Sequence, residues 1–122
     1  MEFSEHLRKN RDFQFVYQNG RSFGNRLLVM YRLENGTDRN RLGISVSKKV
    51  GNSVVRHHLA RLIRESYRLN ESRFVRGWDM IFVVRPGAKE SNFFEIQSAL
   101  LHVARKQKLL REREVKNEKS TD

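Results

Sequence analysis

Cysteine is absent from the 122 residues, which excludes disulfides and thiolate metal sites and leaves no need for an oxidising compartment. No apolar run approaches the roughly 18–20 residues of a membrane span. The opening stretch MEFSEHLRKNRDFQF has no apolar centre of the kind a signal peptide carries, so a cytoplasmic location is expected. Acids are scarce. There are 14 Asp and Glu against 25 Lys and Arg, a formal net charge of +11. That imbalance implies a polyanionic partner, nucleic acid before an anionic membrane. No internal repeat is visible, and the length suits one domain with a single small core.

What is present is concentrated. The stretch Arg41–Arg68, RLGISVSKKVGNSVVRHHLARLIRESYR, carries seven bases (Arg41, Lys48, Lys49, Arg56, Arg61, Arg64 and Arg68) and one acid, Glu65. It reads as a strand, a glycine turn and a helix. On the helix, His57, Arg61, Arg64 and Arg68 fall on one side, while Val55, Leu59, Leu62, Ile63 and Ser66 fall opposite. The basic ladder repeats about every 5–6 Å, a spacing comparable to that of nucleic-acid phosphates. Arginine suits such a task because its planar fork grips phosphate oxygens and keeps its charge. A helix face turned only to water usually mixes the two signs; this one barely does.

The order along the chain predicts α-β-β-α-β-α, an α+β two-layer sandwich with helices against a mostly antiparallel sheet of about four strands. Met1–Arg11 reads as polar and loosely held. Asp12–Asn19 reads as a helix with Phe13, Val16 and Tyr17 on one side and Gly20 as its stop. A strand over Arg26–Leu33 ends at Glu34-Asn35-Gly36, a turn signal that continues as a loop to Asn40. The next strand, Arg41–Ser47, is expected antiparallel to it; Leu42, Ile44 and Val46 make an oily face, and Gly43, Ser45 and Ser47 a small, polar one. Such a face either meets solvent or lets a ligand approach the backbone. Asn52 or Ser53 caps the long helix, which runs to about Ser72. Trp78–Val84 is nearly continuous in apolar residues, as in a strand buried on both sides. Arg85-Pro86-Gly87, with the chain's single proline, stops it. Ser91 or Asn92 opens a third helix that extends towards Leu110. Residues 1–110 are thus expected to form one RNA-binding domain, with 111–122 a polar tail.

With these residues in view, the chain resembles the protein subunit of bacterial ribonuclease P. The resemblance spans nearly the whole length and rests on KNRDFQFVYQNGR, RLGISVSKKVGNSVVR, RHHLARLIRESYR and DMIFVVRPGA. In that family the helix motif usually reads Arg-Asn-Arg, an apolar residue, Lys, Arg. This chain keeps Arg56, Leu59, Arg61 and Arg64, and has His57 for Asn, His58 for Arg and Ala60 for Lys. The resemblance implies a subunit that binds a large catalytic RNA through the arginine-rich helix and its neighbours, here Lys48, Lys49, Arg56, His57, Arg61, Arg64 and Arg68. It also implies a cleft between sheet and first helix that holds the single-stranded 5′ leader of precursor tRNA. The matching residues are Phe13, Tyr17, Tyr31, Ser45 and Ser47. Taken alone, Phe13 and Tyr17 read as core; the resemblance turns them towards RNA, where bases stack on rings and basic groups neutralise phosphates. The resemblance further implies a left-handed βαβ crossover, against the usual right-handed rule. It implies hydrolysis by the RNA with Mg2+, and a protein that raises substrate and metal affinity without an obligate protein partner.

Rival readings are weaker. Adjacent His57 and His58 point about 100° apart on a helix and do not share one metal, so no catalytic residue is assigned to the protein. A membrane-surface helix would need the apolar face that the strands require for a core. A helix-turn-helix pattern for reading DNA is missing. A general RNA-binding protein of ribosomal type would share the charge and element order without the leader cleft.

Overall fold

The computed structural model describes residues 1–111. Trp78–Val84 (β5) lies at the centre of a five-stranded sheet whose other strands are Ser4–His6 (β1), Arg21–Gly24 (β2), Leu28–Glu34 (β3) and Asn40–Val46 (β4), in the order β1-β4-β5-β3-β2. The reason is compositional. Met80, Phe82 and Val84 bury on one face and Ile81 on the other, so this strand needs neighbours at both edges and cover on both sides. Helices Ser53–Asn70 (α2) and Phe93–Lys106 (α3) pack over the first face, around Leu59, Ile63, Tyr67, Ile96, Leu100 and Val103. Helix Asn10–Asn19 (α1) lies across part of the other, with Val16 against Ile81 and Leu7. The α+β class and the order of the longer elements are as expected.

Several local expectations are corrected. The first residues are held: β1 runs parallel to β4, Phe3 and Leu7 are buried, and the Glu71 carboxylate accepts the backbone N–H groups of Glu2 (2.8 Å) and Phe3 (3.0 Å). The strand expected over 26–33 is β3, starting at Leu28, and a strand that was not expected, β2, precedes it; Asn25 turns the chain between them, its Oδ1 accepting from the N–H groups of Leu27 and Leu28. β3 and β4 run in opposite directions without pairing, since β5 lies between them, antiparallel to β3 and parallel to β4. The sheet is therefore mixed, with five strands rather than about four. The Asn35–Asn40 connection spans the width of β5 instead of closing a hairpin. It turns at Gly36, whose φ of +73° favours glycine. Buried Asn40 ties its far end, donating to the Val75 carbonyl and accepting from the N–H groups of Gly77 and Trp78.

The starts of α2 and α3 follow the sequence closely. Asn52 caps α2 by accepting from the Val55 N–H, and Asn92 and Glu95 form a reciprocal capping box on α3. α3 stops at Lys106 rather than reaching Leu110. Gln107 leaves the helix to donate to the carbonyls of Arg21 and Met30 while accepting from Arg32 Nε. Leu110 then returns to bridge Phe74. The tail expected over 111–122 lies, beyond Arg111, outside the described residues.

Candidate nucleic-acid interface

The strand alternation sorts the sheet residues by face. Gly43, Ile81 and Tyr31 form one register row, and Ser45, Val83 and Val29 the next, about 7 Å further on. Both rows belong to the face that α1 only partly covers. Phe13 lies on Gly43: a Cβ at that position would come 2.8 Å from the Phe13 ring, so only glycine lets the ring seat against the backbone. Tyr17 meets Tyr31 edge-on with centroids 4.9 Å apart, and Phe13 is 6.3 Å from Tyr17. The three rings thus form a connected aromatic wall. Each is half-buried, as is Ser45, while Ser47, Lys48 and Lys49 are exposed where the chain leaves β4 for α2. The structure therefore assembles Phe13, Tyr17 and Tyr31 as one unit, with Ser45 on the same face and Ser47 at its end.

What sets the wall against the sheet is a chain of ion pairs. Arg41 grips buried Asp79 in bidentate fashion (Nε to Oδ1 2.9 Å, Nη2 to Oδ2 2.6 Å) and reaches Asp12 on α1 at 3.4 Å. Asp79 also accepts from Asn35. The hydrogen bond to Asp79, together with the charges of Asp79, Asp12 and Glu5, raises the Arg41 pKa in spite of burial. Arg41 is thus committed to docking α1 and is no part of the free charge. Sequence reasoning did not find this role. The available signal was Asp79, an acid inside an otherwise apolar strand, which requires a partner when buried.

On α2 the expected faces are observed. Leu59, Ile63, Ser66 and Tyr67 are buried, and His57, Arg61, Arg64 and Arg68 are exposed. The members are not equivalent. Arg68 donates to Glu65 at 2.8 Å, an exposed i,i+3 pair that holds the Glu65 carboxyl below its ordinary value. Arg56 is half-buried and bends back to the Gly51 carbonyl (3.1 Å). Among the described residues, Arg61 and Arg64 have no carboxylate within salt-bridge distance. They are the freest charges of the ladder. His57, His58 and Arg61 line a shallow basin at the start of the helix together with exposed Val54.

The family model described as Ribonuclease P matches residues 1–108. The chain is 53% identical to the ribonuclease P protein component of Alkaliphilus metalliredigens over 110 residues, covering 90% of this chain and 99% of that one. It is 56% identical to the protein component of Lachnoclostridium phytofermentans over 107 residues, covering 88% and 92%. The fold is similar to that of the Staphylococcus aureus RNase P protein, with a TM-score of 0.81 at 40% identity, covering 87% of this chain and 97% of that one. It is also similar to the Thermotoga maritima protein, with a TM-score of 0.76 at 31% identity, covering 82% and 96%. No helix of the described residues is long and apolar enough to cross a membrane. A general RNA-binding role without cleavage is thereby set aside. The chain belongs to the ribonuclease P protein family and is the protein component of the endoribonuclease holoenzyme that removes the 5′ leader from precursor tRNA.

Proposed function

We propose that this chain serves the holoenzyme through two surfaces. The exposed face of α2 and the turn before it bind the catalytic RNA, with Arg61 and Arg64 supplying the main phosphate contacts, and Lys48, Lys49, Arg56, His57 and Arg68 supporting them. The open face of the sheet holds the single-stranded leader of precursor tRNA, with bases on Phe13, Tyr17 and Tyr31 and the backbone passing over Ser45 towards Ser47 and Lys48. The observation that carries this reading is the aromatic wall, left half-exposed over a floor of glycine and serine beside cations that have no acidic partner among the described residues. Single-stranded RNA is bound by that combination of stacking and neutralisation.

The hydrolysis requires Mg2+, held mainly by the RNA. Among the described residues no group of three or more His, Asp or Glu side chains converges on one point. The protein raises substrate affinity by gripping the leader, and lowers the magnesium requirement by neutralising RNA charge. It acts in the cytoplasm and needs no further protein partner.

The test is cleavage of precursor tRNA at low magnesium by the protein alone, a bacterial ribonuclease P RNA alone, and both together. Cleavage is expected only with both. Tyr17→Ala should weaken precursor binding by about 1–3 kcal/mol and leave mature tRNA binding unchanged. Equal loss for both ligands would reject the leader cleft.

A further inference from the structure

The aromatic wall and the arginine ladder lie on opposite faces of the sheet, and the structure shows where they meet. β1 covers β4 only through the Asn40–Leu42 register, ending with His6 opposite Leu42. Past that point the β4 edge is uncovered, and a basin of about 350 Å³ opens over it. Leu42 and Ile44 form its floor, Phe13 one side, and His6, Arg8 and Arg64 its rim. Three cationic or potentially cationic groups thus converge from β1, from the segment leading into α1, and from α2.

Among the described residues, the nearby acids are engaged elsewhere. Glu5 on β1 faces Arg39 at 4.0 Å, and Asp12 on α1 faces Arg41 at 3.4 Å. β4 contributes only apolar side chains to the basin. The His6 imidazole is held below its ordinary pKa by burial first, then by Arg8, Arg64 and the N-terminal ammonium, with no carboxylate acting on it. Among the described residues these like charges over an apolar floor lack a counter-charge, and a phosphate supplies one. A guanidinium fork grips its oxygens, and a neutral imidazole still donates one N–H. The basin touches Phe13 on one side and Arg64 on the other, so a strand leaving the aromatic wall reaches it without a gap.

We propose that this basin is a phosphodiester-binding site for the leader strand, which crosses the uncovered edge of β4 after Phe13 and is clamped by His6 and Arg8, beside the Arg64 that reaches the catalytic RNA. This deepens the leader reading given above and rests on it. The same chemistry would suit a phosphate of the catalytic RNA, and the test separates the two sources.

The experiment uses the holoenzyme and a series of precursor tRNAs, from leaders too short to pass Phe13 to leaders that overrun the basin. Arg8 is exposed and makes no hydrogen bond among the described residues, so Arg8→Ala is expected to fold normally, and Arg8→Lys should restore most of the charge. Arg8→Ala should weaken binding about fivefold for long leaders and leave short leaders and mature tRNA unchanged. Equal loss at every leader length would assign the phosphate to the catalytic RNA and overturn the proposal, as would no loss at any length. Tyr17→Ala run in parallel separates this proposal from the cleft. Leader-dependent loss in Tyr17→Ala but not in Arg8→Ala overturns the basin alone; no such loss in either overturns the cleft as well. A second readout needs no catalytic RNA. In the free protein, a single-stranded oligoribonucleotide should move the His6 imidazole titration, followed by NMR, to higher pH. A His6 titration unmoved at saturation overturns the proposal.

Discussion

On one face of the sheet, α2 and α3 cover Leu28, Met30, Leu42, Met80 and Phe82 until none is more than 1% exposed. On the other, α1 seals Ile81 and Val16 but leaves Phe13, Tyr17, Tyr31 and Ser45 half-exposed. The first face is filled by flexible aliphatic chains and aromatic rings in mutual contact. The second is built of rings standing beside glycine and serine, with an ion-pair chain rather than a deep core fixing the helix. The contrast separates two tasks. One surface gains its stability from being closed to water, and the other leaves apolar and polar groups accessible, as the proposed leader site requires. α2 joins both tasks, burying one side in the closed face and presenting arginines on the other.

The largest effect should come from breaking the closed face. Phe82→Ala removes a fully buried ring and should cost about 3–5 kcal/mol in denaturant unfolding. RNA binding should fall only in proportion to the unfolded fraction. The open face should respond differently. Gly43→Ala places a methyl 2.8 Å from the Phe13 ring and should cost about 1–3 kcal/mol of stability. It should also reduce the preference for precursor over mature tRNA, because the ring must leave its seat. Retained preference with a wild-type unfolding midpoint would show that Phe13 adapts freely.

On the exposed side of α2 the change should be electrostatic. Arg64→Ala should flatten the slope of log K against log salt for the catalytic RNA by about 0.7–0.9 with little change in stability. Arg68→Ala should flatten it less, because Glu65 already neutralises that guanidinium. Equal slopes for the two variants would contradict the difference in pairing.

The smallest effect concerns the N-terminal strand. Burial acts to raise the Glu71 pKa, but the nearby Ser4 hydroxyl and the hydrogen bonds from the backbone N–H groups of Glu2 and Phe3, with the N-terminal ammonium, lower it on balance. A carboxyl held lower in the folded state contributes stability that is complete above the unfolded carboxyl range, near pH ~4.3. That contribution is lost as the pH falls through the lower folded value. Unfolding midpoints of the wild type should therefore drop more steeply on acidification than those of Glu71→Gln. Parallel pH profiles would remove Glu71 as the anchor of the first residues.

Much of this was legible in the chain. The caps at Asn52 and Asn92, the two-sided burial of Trp78–Val84 and the division of α2 into oily and basic faces all follow from residues within a turn or two of one another. The aromatic wall was visible as a set of candidates through family resemblance, but its contact geometry was not. The held N-terminus was missed because Phe3 and Leu7 stand alone among polar neighbours, and their burial depends on β4 and on Glu71, 68 residues away from Phe3. The charge count of the Arg41–Arg68 stretch also overstated the free charge. Arg41 is consumed by Asp79 and Asp12, Arg68 by Glu65, and Arg56 by a backbone carbonyl.

By itself, the sequence determined the three helices and the three longer strands, which side of each helix is apolar, and that a dense basic surface must meet a polyanion. These properties are set by short-range periodicity and by charge, which no fold can remove. Only the tertiary structure decided that β5 separates β3 from β4, that β1 ends early enough to leave the β4 edge open, and which arginines have no acidic partner among the described residues. Those outcomes depend on pairing between residues far apart in the chain, where burial of one central strand and the partners it brings together outweigh any local preference.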